Sequence, residues 1–214
     1  MTITNGLITR VEYSTYTGSN PATGARHDQW DDAITVASRW VEKHTGRQFH
    51  KTDASESPTA SARYFHPVGD IVSITDCYSV TSIAVDYLDT ATTYTTLTSD
   101  QYQLLPMDGR DDLLGPVPYI QIRQTQYAVW PTEYYRERPV KVTGLWGWSA
   151  VPDDVKRATA IFVQDLLRDT ESNFGGLAVD IQNGIVLGSR VPARTLLLLD
   201  PYRRLSRAAG PRVA

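Results

Sequence analysis

An α+β chain, with helices toward both ends and antiparallel strands between them, is what these 214 residues predict. Two changes in apolar period carry that expectation. Apolar residues recur every three or four positions from about residue 30 to 44, then every second position through the middle of the chain. The helical spacing returns from about residue 151. The expected architecture is a small α-helical bundle core made by the N- and C-terminal helices, with an inserted antiparallel β-sandwich or barrel-like region.

Residues 1 to 27 are polar and rich in Thr, Gly and Asn, and are expected as an extended N-terminal arm. The first helix follows from residue 28. Trp30, Ala33, Ile34, Ala37, Trp40, Val41 and His44 form one apolar stripe. Asp28 is placed to cap it, Asp31 lies in its first turn, and Gly46 supplies the stop. Strands are expected over 62–66, 71–75, 82–88, 94–97, 102–106, 119–123 and 140–145, separated by turn residues such as Gly69-Asp70, Asp108-Gly109 and Gly115-Pro116. Many short strands at this spacing suggest a small sandwich or barrel.

Helix resumes at Val151-Pro152-Asp153-Asp154, where proline suits the first turn and two carboxylates oppose the dipole. Val155, Ala158, Ile161, Phe162, Leu166 and Leu167 make its buried stripe. Gly175-Gly176 opens a loop, Asn183-Gly184 signals a hairpin turn, and a last short helix runs from Pro192 to Asp200-Pro201. The two longer stripes need a partner, and each other is the simplest one. The organisation read from the chain is an arm (1–27), a helical core (28–50 with 149–205), a β-rich insertion (51–148) and a basic tail (206–214).

Composition narrows the function. Hydrophobic residues are 41%, charged residues 21% and the net charge is −3. That argues against a disordered chain, a coiled coil and a globally basic nucleic-acid binder. The longest aliphatic run is Leu196 to Leu199, so no membrane span is expected. The first residues lack the basic start and apolar stretch of a secretory signal. The single cysteine, Cys77, excludes an intrachain disulfide and fits synthesis in a reducing compartment.

Catalytic signatures are absent: no Gly-x-Ser-x-Gly, no phosphate-binding glycine loop ending in Lys-Ser/Thr, no His-Glu-x-x-His. His27, His44, His50 and His66 include no pair at helical ligand spacing, and His44 falls on the apolar stripe. Asp108, Asp111 and Asp112 cluster around a turn, but Arg110 opposes a cation there and the spacing is not that of a calcium loop. Cys77 reads as a small buried side chain. No catalytic residue, metal or cofactor is expected.

Two asymmetries remain. Tyr127, Trp130, Tyr134, Tyr135, Trp146 and Trp148 concentrate just before the second long helix. They suit either a subunit interface or the seam where the β region meets the helices. Residues 190 to 214 carry Arg190, Arg194, Arg203, Arg204, Arg207 and Arg212 against one carboxylate, Asp200. That local +5 leaves −8 for the rest of the chain. Such an end suits an acidic protein face, nucleic acid, or plain solvation.

Three stretches, in order, resemble the head–tail connector (adaptor) proteins of long-tailed bacteriophages. The first runs from Ala33 through Trp40 to Thr45-Gly46-Arg47-Gln48-Phe49, a helix closing in Thr-Gly-Arg-x-Phe. The second is Val140-Lys141-Val142-Thr143-Gly144-Leu145-Trp146-Gly147-Trp148 running into Val151-Pro152-Asp153-Asp154-Val155-Lys156-Arg157-Ala158. The third is Leu198-Leu199-Asp200-Pro201-Tyr202-Arg203-Arg204, which looks like the family's closing element.

The resemblance implies a structural virion protein of the capsid–tail neck, made in the host cytoplasm. It implies a closed ring of copies matched to the portal's twelve-fold symmetry, with the portal on one side and a stopper or tail-completion protein on the other. Genomic DNA would pass through the lumen without base-specific binding. The family supplies no catalytic residues. It implies portal contact through Leu198, Leu199, Tyr202, Arg203, Arg204 and Arg207. A ring needs two different faces on each subunit, and Trp130, Tyr134, Tyr135, Trp146 and Trp148 are the expected subunit-interface residues. The competing readings are a carbohydrate- or receptor-binding β module and a hydrolase with an acidic site.

Overall fold

The computed structural model describes residues 3, 5–18, 25–87, 93–111, 114–125, 130–131, 139–171, 179–180, 185–186 and 191–204. In chain order the elements are α1 (Arg10–Thr17), α2 (Ala25–Thr45), β1 (Ser61–Phe65), β2 (Pro67–Val68), β3 (Ile71–Val85), β4 (Thr95–Thr96) and β5 (Tyr102–Leu105). A 3-10 turn at Met107–Gly109 precedes β6 (Arg110–Asp111), β7 (Gly115–Pro116), β8 (Tyr119–Gln124) and β9 (Val140–Trp146). Then come α3 (Asp153–Glu171), β10 (Val179–Asp180), β11 (Ile185–Val186), α4 (Ala193–Leu199) and a 3-10 turn at Asp200–Tyr202. The chain divides into two compact units, Met1–Arg47 with Val151–Ala214, and Gln48–Ala150.

The expected extended arm contains a helix. Thr9 accepts from the Glu12 amide at 3.2 Å, and the Glu12 carboxylate accepts from the Thr9 amide at 2.8 Å, which closes a capping box at the start of α1. Helix α2 begins three residues before Asp28, so that carboxylate sits in the first turn rather than capping it. The helix ends where Gly46 takes φ +67°, and the amides of Gly46 and Arg47 both donate to the Glu42 carbonyl.

Helices α2 and α3 pack on each other, as their stripes require. Ala33, Ile34 and Ala37 share a buried cluster with Ala160, Phe162 and Val163, and the Trp40 ring lies 4.7 Å from that of Phe162. His44 stacks on Trp40 at 4.8 Å, so it packs as an aromatic rather than ligating. Ile8 and Tyr13 join the same cluster, and Trp30 meets Tyr13 edge-on at 4.9 Å. Burying each of these large side chains contributes roughly 1.5–3 kcal/mol.

The second unit is a seven-stranded antiparallel sheet in the order β1-β9-β3-β8-β5, with β2 and β4 also pairing on β3. It is open, with β1 and β5 at its edges, so the expected barrel-like closure is corrected to an open sheet, beside which β6 and β7 form a small ribbon of their own. The reason lies in β3. Residues 71–75 and 82–88 read as separate strands, yet Ile71–Val85 is one strand of 15 residues. Its first part pairs with β8 and its second with β9, and the register shifts between Cys77 and Ser79 and again between Val80 and Ser82. Each shift inverts the in–out alternation, which erases the period of two just where the strand continues. One face of the sheet carries the core: Val72, Ile74, Ile83, Val85, Ile122, Val140, Val142 and Trp146. Trp130 covers it, donating from Nε1 to the Asp70 carbonyl at 3.0 Å.

Candidate assembly surfaces

Helix α4 has two sides. Thr195 and Leu199 are buried, while Leu197 is 75% exposed and Leu196 38%. Four leucines in a row cannot all face inward on a helix, because successive residues step by about 100°. The 3-10 turn after α4 buries Tyr202, and its phenol is pushed up first by burial and then by the carboxylates of Asp154 and Asp153. The Arg204 amide donates to the Thr45 carbonyl at 2.7 Å, so this segment closes on the C-terminal end of α2. The third family-like stretch therefore meets the end of the first.

The expected portal residues divide accordingly. Leu199 (0% exposed) and Tyr202 (7%) are interior, which corrects their expected role as direct contacts. Leu198 is half-buried, Arg203 exposed and Arg204 half-buried. Arg203 lies 3.8 Å from Asp200, a loose solvent-exposed pair worth little. Arg207 lies outside the described residues.

Three of the expected interface aromatics fall among the described residues, and these three are interior. Trp130, Trp146 and Trp148 are each no more than 3% exposed, so they fill the second unit rather than face a neighbour. Trp146 donates from Nε1 to the Ser61 carbonyl at 2.9 Å and carries the Arg63 guanidinium 4.5 Å above its ring. Arg63 is held by Thr75 Oγ1 at 2.7 Å, Gln48 Oε1 at 2.9 Å and Thr52 Oγ1 at 3.1 Å. Trp148 packs on Phe49 at 5.2 Å. Around them the Gln48 amide donates to Asp76 at 2.6 Å, Gly147 to the Asp76 carbonyl at 2.8 Å, and Thr52 to the Trp146 carbonyl at 3.1 Å. These bonds pin the beginning and the end of the inserted unit to each other. Tyr127, Tyr134 and Tyr135 lie outside the described residues.

The chemical candidates recede. Cys77 is fully buried, donates to the Ser79 carbonyl at 3.3 Å, and its thiol is pushed up to about 11, by burial above all. No group of three or more His, Cys, Asp or Glu residues placed to hold a metal occurs among the described residues. Asp112 lies outside them. Asp53 accepts amides from Thr59 and Ser55, which hold its carboxyl down at about 2, a loop-bracing role. No described helix is long and apolar enough to cross a membrane.

One surface escaped the sequence reading. An open groove between α2 and α3 is lined by Gln29, Asp32, Ala33, Val36, Leu166 and Leu167. Val36 is 48% exposed in it. The signal was available: Val36 stands off the buried stripe of α2.

The fold is thus that of an α+β protein whose open antiparallel sheet is inserted between helical segments that pack together. No protein-family model and no curated protein matches the chain. Among solved structures it is similar to the neck of an empty GTA (gene transfer agent) particle computed with C6 symmetry. The identity is 16%, the TM-score 0.58, and the alignment covers 98% of this chain and 96% of that one. It is also similar to the neck of a native GTA particle computed with C12 symmetry, at 15% identity and TM-score 0.55, with the same coverage. At such identities the likeness is one of fold.

Proposed function

We propose that this chain is a structural neck protein of a phage-like particle, a head–tail connector that forms a closed ring with its own copies. It sits beneath the portal, presents its other face to a stopper or tail-completion protein, and leaves a lumen through which DNA passes without base-specific contact. The observation that carries the reading is the likeness to particle necks across 98% of the chain. The interlocked family-like stretches support it independently: Arg204 closes on Thr45, and Trp148 packs on Phe49. The arginines after α4, Arg203 and Arg204, are the portal-facing residues in this reading, since charged forks suit carboxylates on a partner.

The test is a copy count. Intact particles are purified and this chain is quantified against the portal by mass spectrometry. A ratio near one to one, with about twelve copies per particle, is expected for a ring matched to the portal. Absence of the chain from particles refutes the reading.

A further inference from the structure

We propose that the groove between α2 and α3 receives the outward face of α4 from a second copy of this chain. The inference rests on the ring reading above and names the surfaces that meet.

Shape and polarity match. The groove offers Ala33, Val36, Leu166 and Leu167 as an apolar lining, with Gln29 and Asp32 beside them. Asp32 is exposed, and Asp28, also exposed, stands one turn earlier on α2. Helix α4 offers Leu197 and Leu196 to solvent, with the exposed Arg194 one turn before Leu197. Leucines entering the groove would bring an arginine against Asp32, so apolar and charged parts fit in one pose.

Position selects a second copy as the occupant. Helices α2 and α3 run antiparallel, since Trp40 meets Phe162 while Val36 shares the groove with Leu166 and Leu167. The groove therefore uses the N-terminal half of α2. The segment after α4 is tied to the opposite end, through Arg204 and Thr45. From Asp32 to Thr45 the helix rises about 20 Å at 1.5 Å per residue. The buried side of α4, Thr195 and Leu199, rests on its own chain, so Leu196 and Leu197 face away from it and a chain is badly placed to fill its own groove. Two different patches that meet head to tail make a heterologous interface, which closes into a ring when the rotation allows. Two leucines cover much less than the ~800 Å² per partner of a stable interface, so this contact is the anchor of a larger one.

The test places cysteines at Val36 and Leu197, both exposed, in particles assembled with the variant chain. A short bismaleimide is then added. Cys77 is buried with its thiol pushed up to about 11, so it stays unreactive. The double variant is expected to give a ladder of covalent multimers, and each single variant only monomer. Monomer alone from the double variant, in particles holding the chain at ring stoichiometry, overturns the docking and leaves the neck reading standing. Wild-type chain absent from particles removes the neck reading, and the docking with it. A second arm pairs Arg194→Asp with Asp32→Arg. Each alone should lower incorporation about tenfold or more, and the pair together should restore it. A pair no better than the worse single variant also overturns the proposal.

Discussion

Gly147 stands against the carbonyl of His50 so closely that a Cβ there would lie 2.8 Å from the carbonyl carbon and 3.1 Å from Lys51 Cα. Its φ of +103° is one that side-chain-bearing residues rarely adopt. Both facts concern backbone, which has little room to yield. Gly147→Ala is expected to cost roughly 2–4 kcal/mol by strain and overpacking. Chemical denaturation of the purified protein measures it; a loss below about 0.5 kcal/mol would show that the turn relaxes freely.

Glu12 links the start of α1 to α3. Burial alone would raise its carboxyl, but the 2.7 Å bond from Lys156 Nζ and the Thr9 amide outweigh it and hold the pKa below its ordinary value. The same bond raises the Lys156 ammonium. A depressed carboxyl stabilises the fold above its unfolded value and loses that effect as pH falls through the folded one. A raised ammonium contributes below its unfolded value and loses it as pH climbs through the folded one. Glu12→Gln keeps an acceptor for the Thr9 amide but loses the pair with Lys156, and should therefore cost about 0.2–1 kcal/mol near neutrality. The difference from wild type should shrink in acid. Urea midpoints at pH 7 and in acid decide it, and a gap that widens in acid contradicts the assignment.

Cys77 should be silent in the folded protein. With the thiol near 11, the thiolate at pH 8 is about one part in a thousand, and the sulfur is buried besides. Ellman's reagent is expected to find no thiol in native protein within minutes and one per chain in denaturant. Rapid reaction of native protein would mean that the bulge around Cys77 opens.

How much of this was legible follows from particular residues. The stripes of α2 and α3 and the alternation of Val140, Lys141, Val142 and Thr143 in β9 keep their period, so their sequence reports their faces. Strand β3 does not, because its shifts beside Cys77 and Val80 invert the alternation. Helix α1 is short and polar, with little stripe to read, yet its capping box stands in the sequence as Thr9-Arg10-Val11-Glu12. Tryptophan number pointed to an interface, but number does not reveal burial. The Ser61 carbonyl that satisfies Trp146 Nε1 lies 85 residues away. The four leucines of α4 carried the missed signal, since a helix resting on one side of itself must leave some of them in water.

The arginines after α4 give the sharpest test of portal docking. Arg203 is exposed, and its pair with Asp200 spans 3.8 Å between two largely solvated side chains, so little holds it in place. Arg204 is half-buried, and its backbone amide donates to the Thr45 carbonyl. Because Arg204 is half-buried, the unfolding free energy of the variant with both changed to glutamate is measured first, and binding is read on the folded variant. The same change places two carboxylates where a partner's carboxylates are expected, replacing attraction with like-charge opposition. Binding to purified portal should fall at least about a hundredfold, and raised salt should weaken wild-type binding more than it weakens the variant's residual binding. Unchanged portal binding by a folded double variant would remove these two residues from the portal face while leaving the copy-number test of the neck untouched.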